Sequence, residues 1–226
     1  MPVAPESKTA DEKRNWLVTR FHLFLFGVLI AITATGYVKI PAATGLPMHW
    51  GLNGQPDEVW PRDSGLVAMP LVALVLIILI AVIGRLTPSE KTEPGRYIAE
   101  AALTGVLLVL CALQFSLLLI GTGSDVDLTR IVAAVVAIAL IVLGFALPRS
   151  APNAYAGIRL PWTMTDTANW IATHRLTGVL MIIGGIALAL VALFWSSPVN
   201  LLEAIGPAIF LPIIIGGIFS FVRSRG

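Results

Sequence analysis

The chain has 226 residues and a formal net charge of +2, and 57% of its residues are hydrophobic whereas only 12% are charged. This composition, with a mean hydropathy of +0.87, lies outside the range of soluble globular proteins. A net charge so close to zero gives no sign of a nucleic-acid surface. The composition therefore excludes a soluble protein and predicts an integral membrane protein.

Six apolar stretches are long enough to cross a bilayer, for which a helix needs about 20 residues. They lie at about 16-38, 65-84, 97-121, 129-147, 174-195 and 200-222. We therefore predict an all-α polytopic membrane protein with six transmembrane helices. The first stretch exceeds the apolar core of a typical secretory signal, so we expect it to remain as a helix.

The distribution of basic residues predicts which side of the membrane each loop occupies. Of the 15 Lys and Arg residues, all except Lys39, Arg62 and Arg130 fall in segments on the side of the chain termini. Positively charged segments tend to stay in the cytoplasm. Both termini are therefore predicted to be cytoplasmic, and the loop at 39-64 is predicted to lie outside.

The predicted spans and loops divide the chain into three parts. A hydrophilic tail occupies 1-15, an N-terminal membrane domain with the outer loop 39-64 occupies 16-96, and a second membrane domain with the inner loop 148-173 occupies 97-226. The two long loops follow the first helix of each three-helix half, one outside and one inside. This order is that of an inverted repeat, which we keep as a hypothesis for the fold.

Small residues and prolines mark the last two spans. Gly184-Gly185, Gly206 and Gly216-Gly217 would let neighbouring helices approach closely. Pro207 and Pro212 would kink or interrupt the last helix.

The outer loop combines polar side chains with turn-forming residues and tryptophans. Asn53-Gly54 predicts a turn, and Trp50 and Trp60 are typical of interfacial anchors. Imidazole and carboxylate groups also offer metal ligands, but their spacing matches no strong metal motif, so we predict no metal site. The metal ligands considered are His49, Asp57, Glu58 and Asp63, and the candidate ligand-binding residues are His49, Asn53, Gly54 and Asp57.

The inner loop combines basic, aromatic and hydroxyl side chains near the predicted cytoplasmic headgroup layer. Arg159 and Arg175 could grip a lipid phosphate or a partner's carboxylate, and a neutral His174 could donate or accept a proton. The alternative is that the basic and aromatic residues are ordinary membrane anchors. Polar residues at 163-166 would cap a short helix that runs toward the fifth span. The candidate ligand- or partner-binding residues are Arg159, Trp162, Thr163, Trp170, His174 and Arg175.

Two segments carry a resemblance to a known family. One is the inner segment Gly157-Ile158-Arg159-Leu160-Pro161-Trp162-Thr163, followed by Trp170 and Thr173-His174-Arg175. It resembles the signature of the SdpI family of bacterial membrane proteins. The other is the outer segment Leu46-Pro47-Met48-His49-Trp50 with Asn53-Gly54-Gln55-Pro56-Asp57. It resembles a small membrane domain of unknown function that often precedes that signature. The second membrane domain is therefore identified as SdpI-like.

The resemblance implies a function for the chain. The family's named member is an immunity protein that protects a toxin-producing bacterium from its own secreted, membrane-active peptide, and it is also described as a signalling receptor. By resemblance, we expect a multi-pass protein of the bacterial cytoplasmic (inner) membrane that confers toxin resistance. Membrane lipids, a peptide toxin outside and a cytoplasmic regulator are the expected partners. No cofactor and no enzymatic activity are expected.

Two other classes of function remain open. A transporter or exporter of a peptide or lipid would need polar groups at bilayer depth, and the candidate pathway residues are Arg20, His22, Glu100, Gln114 and Glu203. A membrane enzyme acting on a lipid phosphate would use Arg159 and Arg175 as an anion clamp, with His174 oriented by Asp166. No nucleophile elbow, zinc-protease motif or phosphate-binding glycine loop accompanies these residues, so this class ranks last.

Overall fold

A computed structural model describes residues 17–51, 55–153, 155–194 and 198–226. Within them lie the helices α1 (Arg20–Lys39), α2 (Arg62–Leu86), α3 (Ser89–Thr92), α4 (Arg96–Gly121), α5 (Leu128–Ala146), α6 (Pro161–Thr165), α7 (Thr167–Phe194) and α8 (Pro198–Arg223). All except the short α3 and α6 are long and apolar enough to cross a membrane. The all-α polytopic fold with six transmembrane helices is therefore confirmed. The predicted tail 1-15 lies outside the described residues.

The start of α7 differs from the sequence prediction. Hydropathy predicts that the fifth span begins at 174, but α7 begins at Thr167, about two turns earlier. The cause is a cap that hydropathy does not detect, because Asp166 Oδ1 accepts a hydrogen bond from the Ala168 N–H at 2.8 Å. The polar residues before the apolar stretch are therefore helical, and several of them are buried.

The outer loop contains an antiparallel β-hairpin between α1 and α2. Its strands are β1 (Gly45–Trp50) and β2 (Pro56–Pro61). Near the turn, the Gly51 N–H donates to the Gln55 carbonyl at 2.9 Å. The tip itself, which includes the predicted Asn53-Gly54 turn, lies outside the described residues.

An apolar cluster fixes the hairpin to the helices. Leu46 of β1 is completely buried and packs with Ile40, Leu66 and Leu117. Full burial of a leucine side chain contributes about 1.5–3 kcal/mol. In addition, Arg62 Nη1 donates to the Ile40 carbonyl at 2.9 Å, which ties the start of α2 to the end of α1. The base of the hairpin is therefore positioned by both burial and hydrogen bonding.

The six long helices form two groups of three. α1, α2 and α4 contact one another, as do α5, α7 and α8, and the two groups meet through α4 and α5. Each group thus contains one of the two predicted three-helix halves. Whether the halves are related as an inverted repeat stays a prediction.

Close helix packing in the second group depends on some of the predicted glycines. A Cβ on Gly185 would lie 2.7 Å from the Ala137 carbonyl oxygen, so α5 and α7 could not approach as closely with a larger residue. Gly184 and Gly216 also have close neighbours, whereas a Cβ on Gly206 or Gly217 would meet nothing within 4 Å. α8 continues through both of its prolines, so the predicted interruption of this helix does not occur.

A buried polar contact joins the helices of the first group. Pro70 lies inside α2 and has no N–H, so the Leu66 carbonyl lacks its usual helical donor. Gln114 of α4 supplies a donor, since its Nε2 atom lies 3.0 Å from the Leu66 oxygen and 2.9 Å from Thr33 Oγ1 of α1. Gln114 is completely buried, and its Oε1 atom has no partner in the described part of the chain. The amide therefore links three helices.

Candidate functional site

The candidate residues lie at opposite ends of the bundle. We call the end that carries β1 and β2 the hairpin end. We call the end that carries α3, α6 and the inner segment 147–166 the loop end. α1 begins and α8 ends at the loop end.

Asn153 organises the first part of the inner segment. Its Oδ1 atom accepts hydrogen bonds from the Tyr155 and Ala156 N–H groups at 3.0 and 2.8 Å. Its Nδ2 atom donates to the Ala151 and Ala156 carbonyls. A Cβ on Gly95 would lie only 2.5 Å from Oδ1, so the glycine leaves room for this amide. The side chain thus supplies hydrogen-bond partners that an irregular backbone lacks.

The inner segment is fastened to the connection between α2 and α4. The Ala151 N–H donates to the Pro94 carbonyl at 3.0 Å, and the Tyr155 hydroxyl donates to the Thr92 carbonyl at 2.6 Å. Burial, with a smaller contribution from the nearby Glu93 carboxylate, raises the pKa of Tyr155 to about 12. The hydroxyl therefore remains protonated, and remains a donor, throughout the physiological pH range.

Trp170 and His174 form the centre of the loop end. Both are completely buried, and their rings stack with centroids 4.0 Å apart at an interplanar angle of 20°. Trp170 Nε1 donates to the carbonyl and hydroxyl oxygens of Ser150, each at 3.2 Å. His174 Nδ1 lies 2.8 Å from the Trp170 carbonyl oxygen, and Nε2 lies 3.0 Å from the Ile158 nitrogen. Since a carbonyl only accepts and an N–H only donates, His174 is the neutral tautomer with its proton on Nδ1.

Gly157 lets the inner segment pass over this pair of rings. Its φ angle is +106°, a region that side chains other than glycine rarely adopt. A Cβ at this position would also overlap His174 Nε2 and lie 3.1 Å from the Trp170 ring. The glycine therefore places the next residue, Ile158, where its N–H reaches the histidine.

Hydroxyl and amide groups join the inner segment to α7 and α8. Thr163 Oγ1 lies 2.7 Å from the Ile158 carbonyl, to which it donates. Trp162 Nε1 donates to Ser220 Oγ, and Asn169 Nδ2 donates to the Ser220 carbonyl, both at 2.9 Å. Buried polar groups are normally paired in this way, because an unpaired one costs about 1–3 kcal/mol. Ser220 near the end of α8 is therefore a shared attachment point.

The six candidate residues of the inner loop differ in exposure. The buried or half-buried ones are Trp162, Thr163, Trp170 and His174, and the exposed ones are Arg159 and Arg175. The anchor interpretation is wrong for Trp170, whose ring lies in the protein interior. Arg159 and Arg175 directly follow the two residues joined by the Ile158–His174 hydrogen bond. Neither arginine has an ion-pair or hydrogen-bond partner within the described residues.

The carboxylate required by the enzyme hypothesis lies elsewhere. Both ring nitrogens of His174 are bonded to backbone groups. Asp166 instead caps α7 through the Ala168 N–H. The predicted orientation of His174 by Asp166 is therefore wrong.

At the hairpin end, His49 and Asp57 form an exposed pair. His49 Nδ1 lies 2.5 Å from Asp57 Oδ1, and the side chains are 64% and 52% exposed. Glu58 accepts from Trp60 Nε1 at 2.7 Å, and Asp63 accepts from the neighbouring arginine at 2.8 Å. The four metal ligands considered from sequence thus have separate partners. No group of three such side chains suited to a metal ion occurs among the residues that the structure describes.

An apolar cavity of about 250 Å³ lies beneath β1, where the two groups of helices meet. β1 lines one side of it with residues 47–50, which include His49. The helices contribute the remaining lining, namely Met69 of α2, Leu113 and Leu117 of α4, Leu128, Thr129 and Val132 of α5, and Ile205 of α8. A second apolar cavity, of about 380 Å³, lies between α7 and α8 beside their close contact.

The two ends carry opposite charge in the described part of the chain. At the hairpin end, six carboxylates outnumber three basic side chains; they are Asp57, Glu58, Asp63, Asp125, Asp127 and Glu203, against Lys39, Arg62 and Arg130. At the loop end, nine basic side chains outnumber four carboxylates; they are Arg20, Arg85, Lys91, Arg96, Arg149, Arg159, Arg175, Arg223 and Arg225, against Glu90, Glu93, Glu100 and Asp166. A ligand approaching the hairpin end therefore meets a net negative surface.

Sequence reasoning missed several residues at both ends. Ser150 bonds the buried Trp170 and Ser220 bonds the half-buried Trp162, but neither serine has a local sequence signal. Asn169 and Thr173 are four residues apart and bonded at 3.1 Å, so their spacing could have indicated a shared helix face. Most of the helix residues that line the cavity beside β1, such as Val132, are apolar residues of apolar spans, and no pattern distinguishes them.

Of the residues considered for transport, His22 and Glu100 lie together, whereas Gln114 lies apart from them. His22 Nε2 bonds the Glu100 carbonyl and Thr104 Oγ1 at 3.1 and 3.0 Å, while the Glu100 carboxylate pairs with Arg96 Nε at 2.6 Å. Gln114 lies about 21 Å farther along α4, at 1.5 Å per residue. Neither cavity described above is lined by His22, Glu100 or Gln114.

Comparison with known proteins agrees with the resemblance. Residues 149–224 match the model of the SdpI/YfhL protein family, and this segment contains all six candidate residues of the inner loop. The chain is 23% identical over 176 residues to the immunity protein SdpI of Bacillus subtilis (strain 168), an alignment that covers 78% of this chain and 82% of that protein. No solved structure matches the chain. The chain is therefore a multi-pass membrane protein, and its segment 149–224 is similar to the SdpI family.

Proposed function

We propose that this protein is an immunity protein of the bacterial cytoplasmic membrane that protects against a secreted, membrane-active peptide. The observation that carries the proposal is the similarity to the Bacillus immunity protein. That similarity covers 78% of the chain and so extends well beyond the family segment 149–224. The six apolar helices support a membrane location.

The two ends of the bundle have separate roles in this proposal. The hairpin end faces outward and meets the peptide with His49, Asn53, Gly54 and Asp57. The loop end faces the cytoplasm. There the exposed Arg159 and Arg175 contact an anionic partner, either lipid phosphate or the carboxylates of a cytoplasmic regulator. The buried residues hold the inner segment, which presents Arg159, against α7, which presents Arg175.

A receptor function would add a requirement. The hairpin end would have to bind its peptide unequally in two conformations of the bundle, and the loop end would have to differ between them. The hydrogen bond between Ile158 and His174 is the contact at which such a difference would reach the arginines.

The proposed function is tested by measuring membrane potential with a voltage-sensitive dye in sensitive bacteria. Cells with and without the protein are challenged with the secreted peptide of the Bacillus relative's producer strain, and with peptides encoded beside this gene. We expect the protein to prevent depolarisation by at least one of them. If expression gives no protection against any of these peptides, the immunity function is contradicted.

Two variants at matched membrane abundance then assign the ends. Asp57→Ala is expected to weaken protection of the membrane potential because it removes a contact with the peptide outside. Arg175→Ala is expected to weaken protection because it removes a contact with the anionic partner in the cytoplasm. Arg85→Ala is the matched control for Arg175→Ala, because it removes another exposed arginine from the loop end. Equal effects of the two arginine variants would show that only the total charge matters.

A further inference from the structure

We propose that the cavity beneath β1 binds one bulky apolar side chain of a cationic amphipathic peptide. The proposal rests on the immunity function and specifies the class of peptide and the place where it is held. It follows from three properties of the hairpin end: the size of the cavity, its position between the helix groups and the charge around it.

The size and lining of the cavity suit an apolar side chain. Its volume is about 250 Å³ and nearly all of its lining side chains are apolar. An apolar cavity of about 150 Å³ is already large enough to hold a benzene ring. The cavity is therefore large enough for one aromatic or branched aliphatic side chain, which is the type of anchor that contributes most to binding at interfaces.

The position of the cavity would bring its occupant into contact with both groups of helices. Met69 and Leu113 come from the first group of helices, whereas Val132 and Ile205 come from the second. β1 forms part of the lining, and the base of the hairpin is held by the buried Leu46. A side chain inserted beneath β1 would therefore contact both helix groups and the hairpin at once.

The charge around the cavity favours a cationic peptide. Arg62 pairs with Asp63, and Arg130 pairs with Asp127, so both arginines of this end are already used. The carboxylates that remain without a Lys or Arg partner in the described chain are Asp57, Glu58, Asp125 and Glu203. Complementary charge would steer a cationic peptide to this end, and repulsion would disfavour an anionic one.

Photo-crosslinking tests the proposal directly. The purified full chain in phosphatidylcholine nanodiscs is mixed with a synthetic amphipathic helix of Lys and Leu that carries a benzophenone amino acid at its central apolar position. Benzophenone reacts readily beside a methionine sulfur, and Met48 and Met69 both line the cavity. After irradiation, mass spectrometry is expected to locate the cross-link at one of these two residues.

Two variants separate cavity binding from general attraction. Val132→Trp fills the cavity and is expected to reduce the cross-link about tenfold, a loss of 1.4 kcal/mol in binding free energy. Leu211→Trp, in the second cavity, is the matched control and is expected to leave it unchanged. The double variant Asp125→Asn/Glu203→Gln leaves the cavity lining intact and is expected to reduce the cross-link about threefold. Replacing every Lys of the peptide by Glu is expected to abolish it.

Specific outcomes would overturn the proposal. These are a cross-link confined to residues outside the cavity, equal labelling of Val132→Trp and the unmodified chain, or equal labelling by the anionic peptide. The cross-link does not depend on protection of cells. Protection that persists in Val132→Trp would therefore reject this site while the immunity function stands.

Discussion

At the loop end, Trp170 and His174 are completely buried, and each ring nitrogen of the pair has a hydrogen-bond partner. At the hairpin end, His49 is largely exposed, and His49 and Trp50 border an apolar cavity of about 250 Å³. Both ends therefore contain a histidine near a tryptophan, but in opposite environments. At the loop end the pair fixes a backbone segment, whereas at the hairpin end His49 remains exposed beside an open volume.

Residue type alone therefore does not assign a role at a membrane interface. The same aromatic and basic residues that anchor helices in headgroups can also form a packed interior. What separates the two cases is the number of tertiary partners that each side chain finds. Equivalent substitutions at the two ends should therefore lower the free energy of unfolding by unequal amounts.

The largest expected difference is between two tryptophans. Trp170→Ala would remove a fully buried ring from the loop end and is expected to lower the free energy of unfolding by about 3–5 kcal/mol. Trp60→Ala at the hairpin end removes a ring that is 38% exposed, so we expect a loss of about 1 kcal/mol. Denaturant unfolding of purified protein in detergent measures both values. Similar losses would mean that the loop end is not packed as described.

Two glycines with positive φ angles provide the next comparison. Gly157→Ala at the loop end would suffer both backbone strain and overlap with His174, so we expect a loss of about 2–4 kcal/mol. Gly123→Ala at the hairpin end has φ +87° but open space around it, so only the strain of about 1–2 kcal/mol remains. The same unfolding assay applies, and equal losses would remove the evidence for the Gly157–His174 contact.

The buried amide of Gln114 tests the packing below the hairpin. Gln114→Leu is expected to cost about 1–2 kcal/mol, because the Leu66 carbonyl then loses its donor. Pro70→Ala would restore an N–H that can donate to this carbonyl within α2. In a double-mutant cycle, Pro70→Ala should therefore reduce the cost of Gln114→Leu. Additive costs would show that Leu66 is not the important partner.

The smallest expected effect concerns Tyr155 at the loop end. Tyr155→Phe removes the donor to the Thr92 carbonyl and should cost about 0.5–1.5 kcal/mol near neutral pH. The pKa of Tyr155 is about 12 in the folded protein and about 10 in the unfolded chain, so folding favours the protonated form. The stabilisation of the folded protein that results from this pKa difference is constant below about pH 10 and is lost as the pH rises toward 12. The Tyr155→Phe variant should lack that alkaline loss in a series of unfolding measurements, and an unchanged loss would assign it to another group.

The helical framework could be predicted from sequence because hydropathy depends on local composition. Six apolar stretches correspond to six helices, and the largest displacement of a helix end, at the start of α7, coincides with the cap formed by Asp166. Some packing glycines were also predictable, since small residues in spans commonly mark helix contacts. Gly185 follows this rule, but Gly206 does not, because the facing helix surface is not encoded nearby.

The interior of the loop end could not be predicted because its contacts join distant segments. Trp170 meets Ser150 of the inner segment, and Trp162 meets Ser220 of the last helix. Hydroxyl groups are common at such positions and give no sign of a tertiary partner. The cavity beneath β1 is likewise a property of how two helix groups and a hairpin fit together, and apolar residues such as Val132 do not reveal it.

The proposed function depends most on the hairpin end facing outward and the loop end facing the cytoplasm. The chain has one cysteine, Cys111, so Cys111→Ala gives a cysteine-free background for Asp57→Cys and Arg159→Cys, each at an exposed position. A membrane-impermeant maleimide applied to intact cells should label the Asp57→Cys protein, and it should label the Arg159→Cys protein only after the membrane is permeabilised. Labelling of the Arg159→Cys protein alone in intact cells would reverse the orientation and contradict the account.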